Sequence, residues 1–256
     1  GSSTLGGVIA EARMDALMNQ GWQAADSTEL DGWLVRRNAG VTLRANSVLP
    51  ASAPFDLDKA LEYVENLYVA HDIRPSFQIS PAVQPSDLDA HLEARGYEVR
   101  NPTLVQCAPI SDVLAKLPAP TTPTPEMNIS TTPSVLWTDC WWSVDGRGDD
   151  TRAAAEEILI RGNALYATVA DDRRAQAIGR LALVDDTAGL YCLAVDEDFR
   201  RRGLASAVIH GLLQAATDRG AKWVWLSVLE DNAPARALYD RLGFRTVSRY
   251  HYRVKA

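Results

Sequence analysis

The stretch Arg200-Arg201-Arg202-Gly203-Leu204-Ala205 constrains this chain more than any other. It has the form R-x-x-G-x-A. It lies between an apolar, strand-like run, Leu190 to Val195, and a helix-like run, Ala207 to Thr217. A glycine-bearing turn from strand into helix presents unpaired backbone N–H groups at the helix N-terminus, an anion site suited to a pyrophosphate. Gly203 lets the backbone approach a ligand closely, and Ala205 keeps the next turn small. Three arginines raise the local positive potential. Alone, the hexapeptide is weakly specific, because Gly and Arg are common at helix starts.

The segment that follows narrows the choice. Lys222 to Leu229, rich in Trp and Val, reads as a strand. It runs into Glu230-Asp231-Asn232-Ala233-Pro234-Ala235-Arg236-Ala237-Leu238-Tyr239-Asp240-Arg241-Leu242-Gly243-Phe244. Asn232 is placed to cap a short helix, Pro234 suits its first turn, and Gly243 suits its end. Tyr239 falls inside that helix.

Together the two segments resemble the GNAT superfamily of acyl-CoA-dependent N-acetyltransferases. Val195, Phe199, Arg200, Gly203 and Ala205 match its pyrophosphate motif, V-x-x-x-[YF]-R-x-x-G-x-[GA]. Asn232, Ala235, Leu238, Tyr239, Gly243 and Phe244 match N-x-x-A-x-x-[LF]-Y-x-x-x-G-F. Glu197 and Arg201 depart from a usual proline and a usual glycine. The resemblance covers residues 126–256. It implies an α+β GNAT fold, a mixed, mostly antiparallel twisted sheet flanked by helices, and acetyl-CoA as co-substrate. It also implies that Arg200, Arg201, Arg202, Gly203, Leu204, Ala205 and Ser206 hold the cofactor, largely through backbone N–H groups. Leu193 and Val195 would offer strand backbone to the pantetheine and the acetyl oxygen, and Asn232 would order its turn and touch the cofactor. Tyr239 corresponds to the tyrosine that gives its proton to the CoA thiolate. A phenol near pKa 10 is a reasonable donor to a thiolate; the competing reading is a core aromatic on a helix face. The general base is not legible: Asp196, Glu197, Glu230 and Asp231 lie near strand ends, where solvated carboxylates are common, and a water chain would leave no trace.

Composition narrows the class. The 256 residues carry 46% hydrophobic and 23% charged side chains, ordinary for a globular protein. A formal net charge of −7 argues against general nucleic-acid or anionic-membrane binding. No apolar run is long enough for a transmembrane helix and no secretory pattern is present, so a cytoplasmic location is expected. The opening Gly1-Ser2-Ser3 lacks methionine and reads as a cloning remnant, so a native leader could have been removed. Cys107, Cys140 and Cys192 are scattered, and His71, His91, His210 and His251 form no metal motif, so no metal is expected.

The clearest boundary is residues 116–125, where Pro118, Pro120, Pro123 and Pro125 predict an extended linker. It divides a smaller domain, 1–115, from a catalytic domain, 126–256. In the second, strands are expected over 127–131, 165–170, 176–185, 190–195, 222–229 and 245–254, with helices over 133–142 and 152–161. Trp137, Trp141 and Trp142 on the first helix either wall the acceptor pocket or form a core stripe; Trp141 is the acceptor candidate among them.

The first half predicts a hairpin of 32–37 and 41–47 across Asn38-Ala39-Gly40, an amphipathic helix over 56–70, a strand over 77–80 and a helix over 86–95. His91 to Val99 lines up with Leu238 to Thr246, which suggests a second, degenerate GNAT-like domain. Leu92 then stands where Tyr239 would, and no R-x-x-G-x-A precedes it, so one CoA site per chain is expected. The pattern W-x-x-R…G-x-T-x-R-A-N-S, from Trp33 to Ser47, resembles the first half of bacterial tandem or extended GNAT proteins. Alternation puts Thr42, Arg44 and Asn46 on one face, which either grips an acceptor carboxylate through Arg44 and Asn46 or is solvated. Some actinobacterial members of similar layout are N-acetylglutamate synthases. The expected activity is therefore acetylation of a primary amine on a small amino acid, glutamate included, by a monomer or homodimer without nucleic-acid or membrane partners. Acetylation of a protein N-terminus or lysine is the second reading, and a non-catalytic acyl-CoA sensor or scaffold the third.

Overall fold

The computed structural model describes residues 4–5, 8–118, 126–146 and 148–256. The Gly1-Ser2-Ser3 start and most of the proline-rich linker, residues 119–125, lie outside them. The chain forms two compact units, and neither is a continuous stretch. The first comprises Gly1–Val105, Val228–Ala233 and Thr246–Ala256; the second comprises Gln106–Ser227 and Pro234–Arg245. The linear division expected from the linker differs from this one: the C-terminal strand belongs with the first unit.

The first unit begins with a short ladder of β1 (Thr4–Leu5) and β2 (Val8–Ile9), then α1 (Glu11–Gly21). Next come β3 (Asp26–Leu30), β4 (Trp33–Arg37), β5 (Val48–Pro50), α2 (Leu57–Ala70), β6 (Ser76–Ile79) and α3 (Leu88–Ala94). The long strand β7 (Tyr97–Pro109) leaves this unit after Val105 and leads into α4 (Ile110–Lys116), which belongs to the second unit. β3 and β4 form a hairpin through Asp31 and Gly32, both at positive φ (49° and 86°), as a two-residue turn of this twist requires. β4 pairs antiparallel with β5, β5 runs parallel to β6, and β6 pairs antiparallel with the last strand, β13 (Arg245–Lys255), where Tyr252 faces Gln78.

The expected partner of β4 over residues 41–47 is not a strand. The apolar alternation of Val41, Leu43 and Ala45 is overridden by side-chain bonds to the backbone. Asn46 Oδ1 accepts from the N–H groups of Asn38 (2.7 Å) and Gly40 (2.9 Å), and its Nδ2 donates to the carbonyls of Val41 (2.6 Å) and Thr42 (2.8 Å). Ala39, Gly40 and Thr42 all take positive φ in this loop. On that side β4 meets the chain only beyond the loop, at β5 (Val35↔Val48), and its other neighbour, β3, lies in a stretch where the sequence gives little period.

The two faces of this sheet differ. One packs Trp33, Val35, Phe77 and Ile79 against Leu61, Val64 and Tyr68 of α2 and Leu88 and Leu92 of α3. The other is buried but polar. Arg36, 2% exposed, donates to the Ser47 carbonyl (2.9 Å), to Ser47 Oγ (3.0 Å) and to Gln78 Oε1 (2.9 Å). Ser80 donates to Asp15 Oδ2 at 2.5 Å. Arg253 and His251 of β13 both donate to Asp89 on α3 (2.8 and 2.7 Å), which stitches the C-terminal strand to the first unit.

The second unit follows the expected order. It holds β8 (Met127–Ser130), α5 (Val135–Asp145), α6 (Arg152–Leu159), β9 (Ala164–Ala170), β10 (Ala175–Val184), β11 (Thr187–Val195) and α7 (Leu204–Asp218). β12 (Trp223–Leu229) and α8 (Ala233–Arg241) follow. β8 to β11 form an antiparallel meander, and β12 runs parallel to β11, so the sheet is mixed and mostly antiparallel. Gly189 lets Trp225 lie across it: a Cβ there would sit 2.3 Å from the indole ring.

Candidate active site

β11 carries the first part of the site. Its parallel register with β12 ends at Leu190↔Leu226. Beyond that point β11 is paired to β10 alone among the described residues, through Tyr191↔Arg180, Ala194↔Ile178 and Val195↔Ala177. One edge of its backbone, including that of the expected cofactor residues Leu193 and Val195, therefore has no strand beside it. Within this stretch Cys192 and Leu193 together oppose the single residue Gly179, and Cys192 takes φ 55°: a β-bulge. Sequence reasoning missed it, although an isolated glycine in an apolar strand, Gly179, is the usual sign.

The R-x-x-G-x-A turn follows. Arg201 (φ 66°) and Gly203 (φ 72°, ψ 17°) are both left-handed, and Gly203 occupies the cap of α7. The first bond across the cap runs from Ala207 N–H to the Gly203 carbonyl (3.1 Å). The N–H groups of Leu204, Ala205 and Ser206 thus have no acceptor within the helix, and glycine brings no side chain to cap them. Such a concave row of amides at a helix start is an anion cradle. A Cβ on Gly203 would meet nothing within 4 Å, so the space before the turn is open. Arg200, Arg201 and Arg202 are exposed around it. Phe199 sits between two guanidiniums, Arg174 at 5.0 Å and Arg202 at 5.1 Å from its ring centre. Arg174 is held in turn by Asp198 (2.9 Å) and Asp196 (3.5 Å).

Tyr239 lies on α8, its ring edge-on to Phe244 at 5.6 Å. Burial pushes its phenol up to about 12, so it holds its proton firmly at neutral pH. Asn232 immediately precedes α8, exposed, its N–H bonded to the Leu229 carbonyl at 3.0 Å. Trp141, 4% exposed, packs with Trp137 (6.2 Å) and Trp142 (5.7 Å). Arg44 and Asn46 belong to the first unit. Arg44 lies over the Trp22 ring at 4.7 Å, while Asn46 is buried with both ends of its amide engaged by the loop. Among the described residues no cluster of His, Cys, Asp and Glu could hold a metal, and no helix is long and apolar enough to cross a membrane.

A splayed, bulged strand leading into an amide-lined turn is the frame of an acetyl-CoA-dependent N-acetyltransferase of GNAT type, and comparison with known proteins agrees. The family described as "Probable histone acetyltransferase Rv0428c C-terminal" matches residues 12–253, and the chain belongs to it. The uncharacterized N-acetyltransferase YobR of Bacillus subtilis is 28% identical over 247 residues, covering 95% of this chain and 98% of that protein. The [ribosomal protein bS18]-alanine N-acetyltransferase of Salmonella typhimurium is 44% identical over 85 residues, 32% of this chain and 57% of that protein. A tandem GNAT protein from the clavulanic acid biosynthesis pathway shares the fold, with a TM-score of 0.65 at 15% identity over 97% of this chain and 90% of its own.

Proposed function

We propose that this enzyme transfers the acetyl group of acetyl-CoA to the α-amine of a small amino acid, with glutamate the first acceptor to test. The observation that carries the cofactor half of this reading is the sequence of unpaired β11 edge, bulge and left-handed turn into α7. The amides of Leu204, Ala205 and Ser206 suit the pyrophosphate, and the free backbone edge at Leu193 and Val195 suits the pantetheine and acetyl oxygen. Bound acetyl-CoA supplies the activated acyl group; Tyr239 holds the proton that a departing thiolate needs. Support for the acceptor is thinner. It comes from the Trp33–Ser47 pattern, which puts Arg44 on the loop before β5. Arg44 remains the candidate for a carboxylate contact. Asn46 acts through the loop it organises, since its amide has no bond left to offer.

The second reading, acetylation of a protein N-terminus, is favoured by the stretch shared with the bS18-alanine enzyme. Both acceptors present an α-amine beside a carbonyl or carboxylate. Thiol release from acetyl-CoA with glutamate, alanine and an alanyl peptide separates them. Turnover with a free amino acid supports the first reading, and turnover with the peptide alone replaces it with the second. Arg44→Ala should raise the amino-acid KM by on the order of tenfold or more and leave the acetyl-CoA KM nearly unchanged. We also read the first half as a degenerate GNAT-like domain that binds no CoA.

A further inference from the structure

The segment between the free edge of β11 and the turn into α7 reads Asp196-Glu197-Asp198-Phe199-Arg200-Arg201-Arg202. Acids and arginines so close along a chain attract one another. An arginine paired to a carboxylate of its own segment has less charge to offer a phosphate. The pairing in the structure is different. Among the described residues none of Arg200, Arg201 and Arg202 forms an ion pair. Asp198 and Asp196 are taken instead by Arg174, from the hairpin between β9 and β10. Its Nη2 lies 2.9 Å from Asp198 Oδ2 and its Nη1 3.5 Å from Asp196 Oδ2.

Both sides of this contact are ordered. Asp171 Oδ1 accepts from the N–H groups of Arg173 (2.9 Å) and Arg174 (3.0 Å), and Asp171 N–H donates to the Arg174 carbonyl (3.2 Å). On the receiving side, Asp196 N–H donates to the Gln176 carbonyl (2.8 Å). Asp196 Oδ1 accepts from Asp198 N–H (3.0 Å) and the Asp196 carbonyl from Phe199 N–H (2.9 Å), which closes one 3₁₀ turn, Glu197–Phe199. That turn presents the Phe199 ring, and the guanidiniums of Arg174 and Arg202 both lie over it. Arg202 is thus placed by a ring, and its N–H groups have no acceptor among the described residues. It stands directly before Gly203 and the amides of Leu204, Ala205 and Ser206.

The side chains of Arg174 and Asp198 are 49% and 67% exposed, so their ion pair adds little to stability. Its consequence is which charges stay available. We infer that Arg174 is a positioning residue for the phosphates of acetyl-CoA: by taking Asp198 and Asp196 it keeps those carboxylates off Arg202, whose guanidinium is left over Phe199 for a cofactor phosphate. The inference rests on the proposed cofactor site and adds to it a residue from outside the R-x-x-G-x-A turn.

The test is the Kd of acetyl-CoA by isothermal titration at low salt. The proteins are Arg174→Ala, Arg202→Ala, the two together, and Arg174→Ala combined with Asp198→Asn. The asparagine keeps the shape of Asp198, removes its charge and leaves the Asp196 cap in place. Arg174→Ala should melt within a few degrees of wild type; Arg174→Gln takes its place if the alanine protein does not fold. Each single arginine variant should raise the Kd about fivefold. The two together should go no more than about twofold beyond either, because Arg174 acts through Arg202. Adding Asp198→Asn to Arg174→Ala should return the Kd to within about twofold of wild type, since the released carboxylate is gone. A residue that merely braced the turn would not be rescued in this way. Unchanged affinity in folded Arg174→Ala would overturn the inference, as would a loss that Asp198→Asn fails to recover or one of full size in the Arg202→Ala background. Failure of the wild-type protein to bind acetyl-CoA at all would instead sink the cofactor site.

Discussion

At the end of α3 the chain passes through Gly96 (φ 87°) into Tyr97 and β7; at the end of α8 it passes through Gly243 (φ 91°) into Phe244 and β13. The two corners close alike. Gly96 N–H bonds to the Glu93 carbonyl and Gly243 N–H to the Asp240 carbonyl, each at 3.1 Å. One turn back from each glycine stands Leu92 or Tyr239. Leu92 is completely buried in the first unit's core. Tyr239 is half-buried, with a phenol that burial alone pushes up. The same backbone solution thus serves packing in one place and holds a proton in the other. What separates them is the company each keeps. The second unit supplies a splayed strand and a left-handed turn; the described residues of the first supply a closed apolar face and a buried polar one.

The largest effect should come from cutting the chain between the halves. The first unit's sheet needs β13, which pairs with β6, brings Arg253 and His251 to Asp89 and brings Lys255 to Glu65 (3.0 Å). Residues 1–115 expressed alone should show no cooperative thermal transition by circular dichroism. A sharp melt would mean that the first half folds without the C-terminal strand.

The two corners can then be compared by substitution. Leu92→Ala should cost about 2–5 kcal/mol of stability in denaturant titration, the usual range for a fully buried leucine. It should leave kcat of the folded fraction near wild type. Tyr239→Phe should do the reverse: little change in stability or acetyl-CoA affinity, and a fall in kcat on the order of 100-fold if proton donation limits the rate. Equal effects of the two variants on kcat would erase the distinction between the corners.

A smaller effect probes the polar face of the first unit. Burial pushes the Asp15 carboxyl up to about 6, against the Ser80 hydrogen bond and the charge of Arg36, with Glu11 adding to the rise. The folded chain therefore keeps a proton there that the unfolded chain releases near pH 4. The stability this contributes is present below pH 4 and is lost as pH rises through 6. Relative to Asp15→Asn, the wild type should lose about 2–3 kcal/mol between pH 4 and pH 7, a shift of about two pKa units. A stability difference flat across that range would show Asp15 titrating as an exposed acid does.

Much of the second unit was legible because its signals are local. Glycines sit where the chain needs positive φ, at Gly203 and Gly243, and apolar runs mark β9, β10 and β11 between charged turns. The bulge was not legible, since it is a shift of register between β10 and β11 opposite Gly179, which shows only once the two strands are paired. In the first unit the period-2 pattern over 41–47 misled because Asn46 and Ser47 bond to nearby backbone more strongly than alternation can compete. β3 was missed because Asp26–Leu30 is short and largely polar, with an edge strand's exposure. The membership of β13 in the first unit leaves no local trace either, since it rests on partners such as Asp89 and Gln78 far back in the chain.

The central claim is that the turn at 203–206 and the free edge of β11 form one cofactor site, with no counterpart in the first half. Isothermal titration of acetyl-CoA into the wild-type chain and into Gly203→Val tests it most directly. Valine at φ 72° is strained, and its Cβ would enter the open space before the amides. The account predicts one acetyl-CoA per chain and a loss of affinity of about tenfold or more in the folded variant. A stoichiometry of two, or an affinity untouched by the valine, would contradict it.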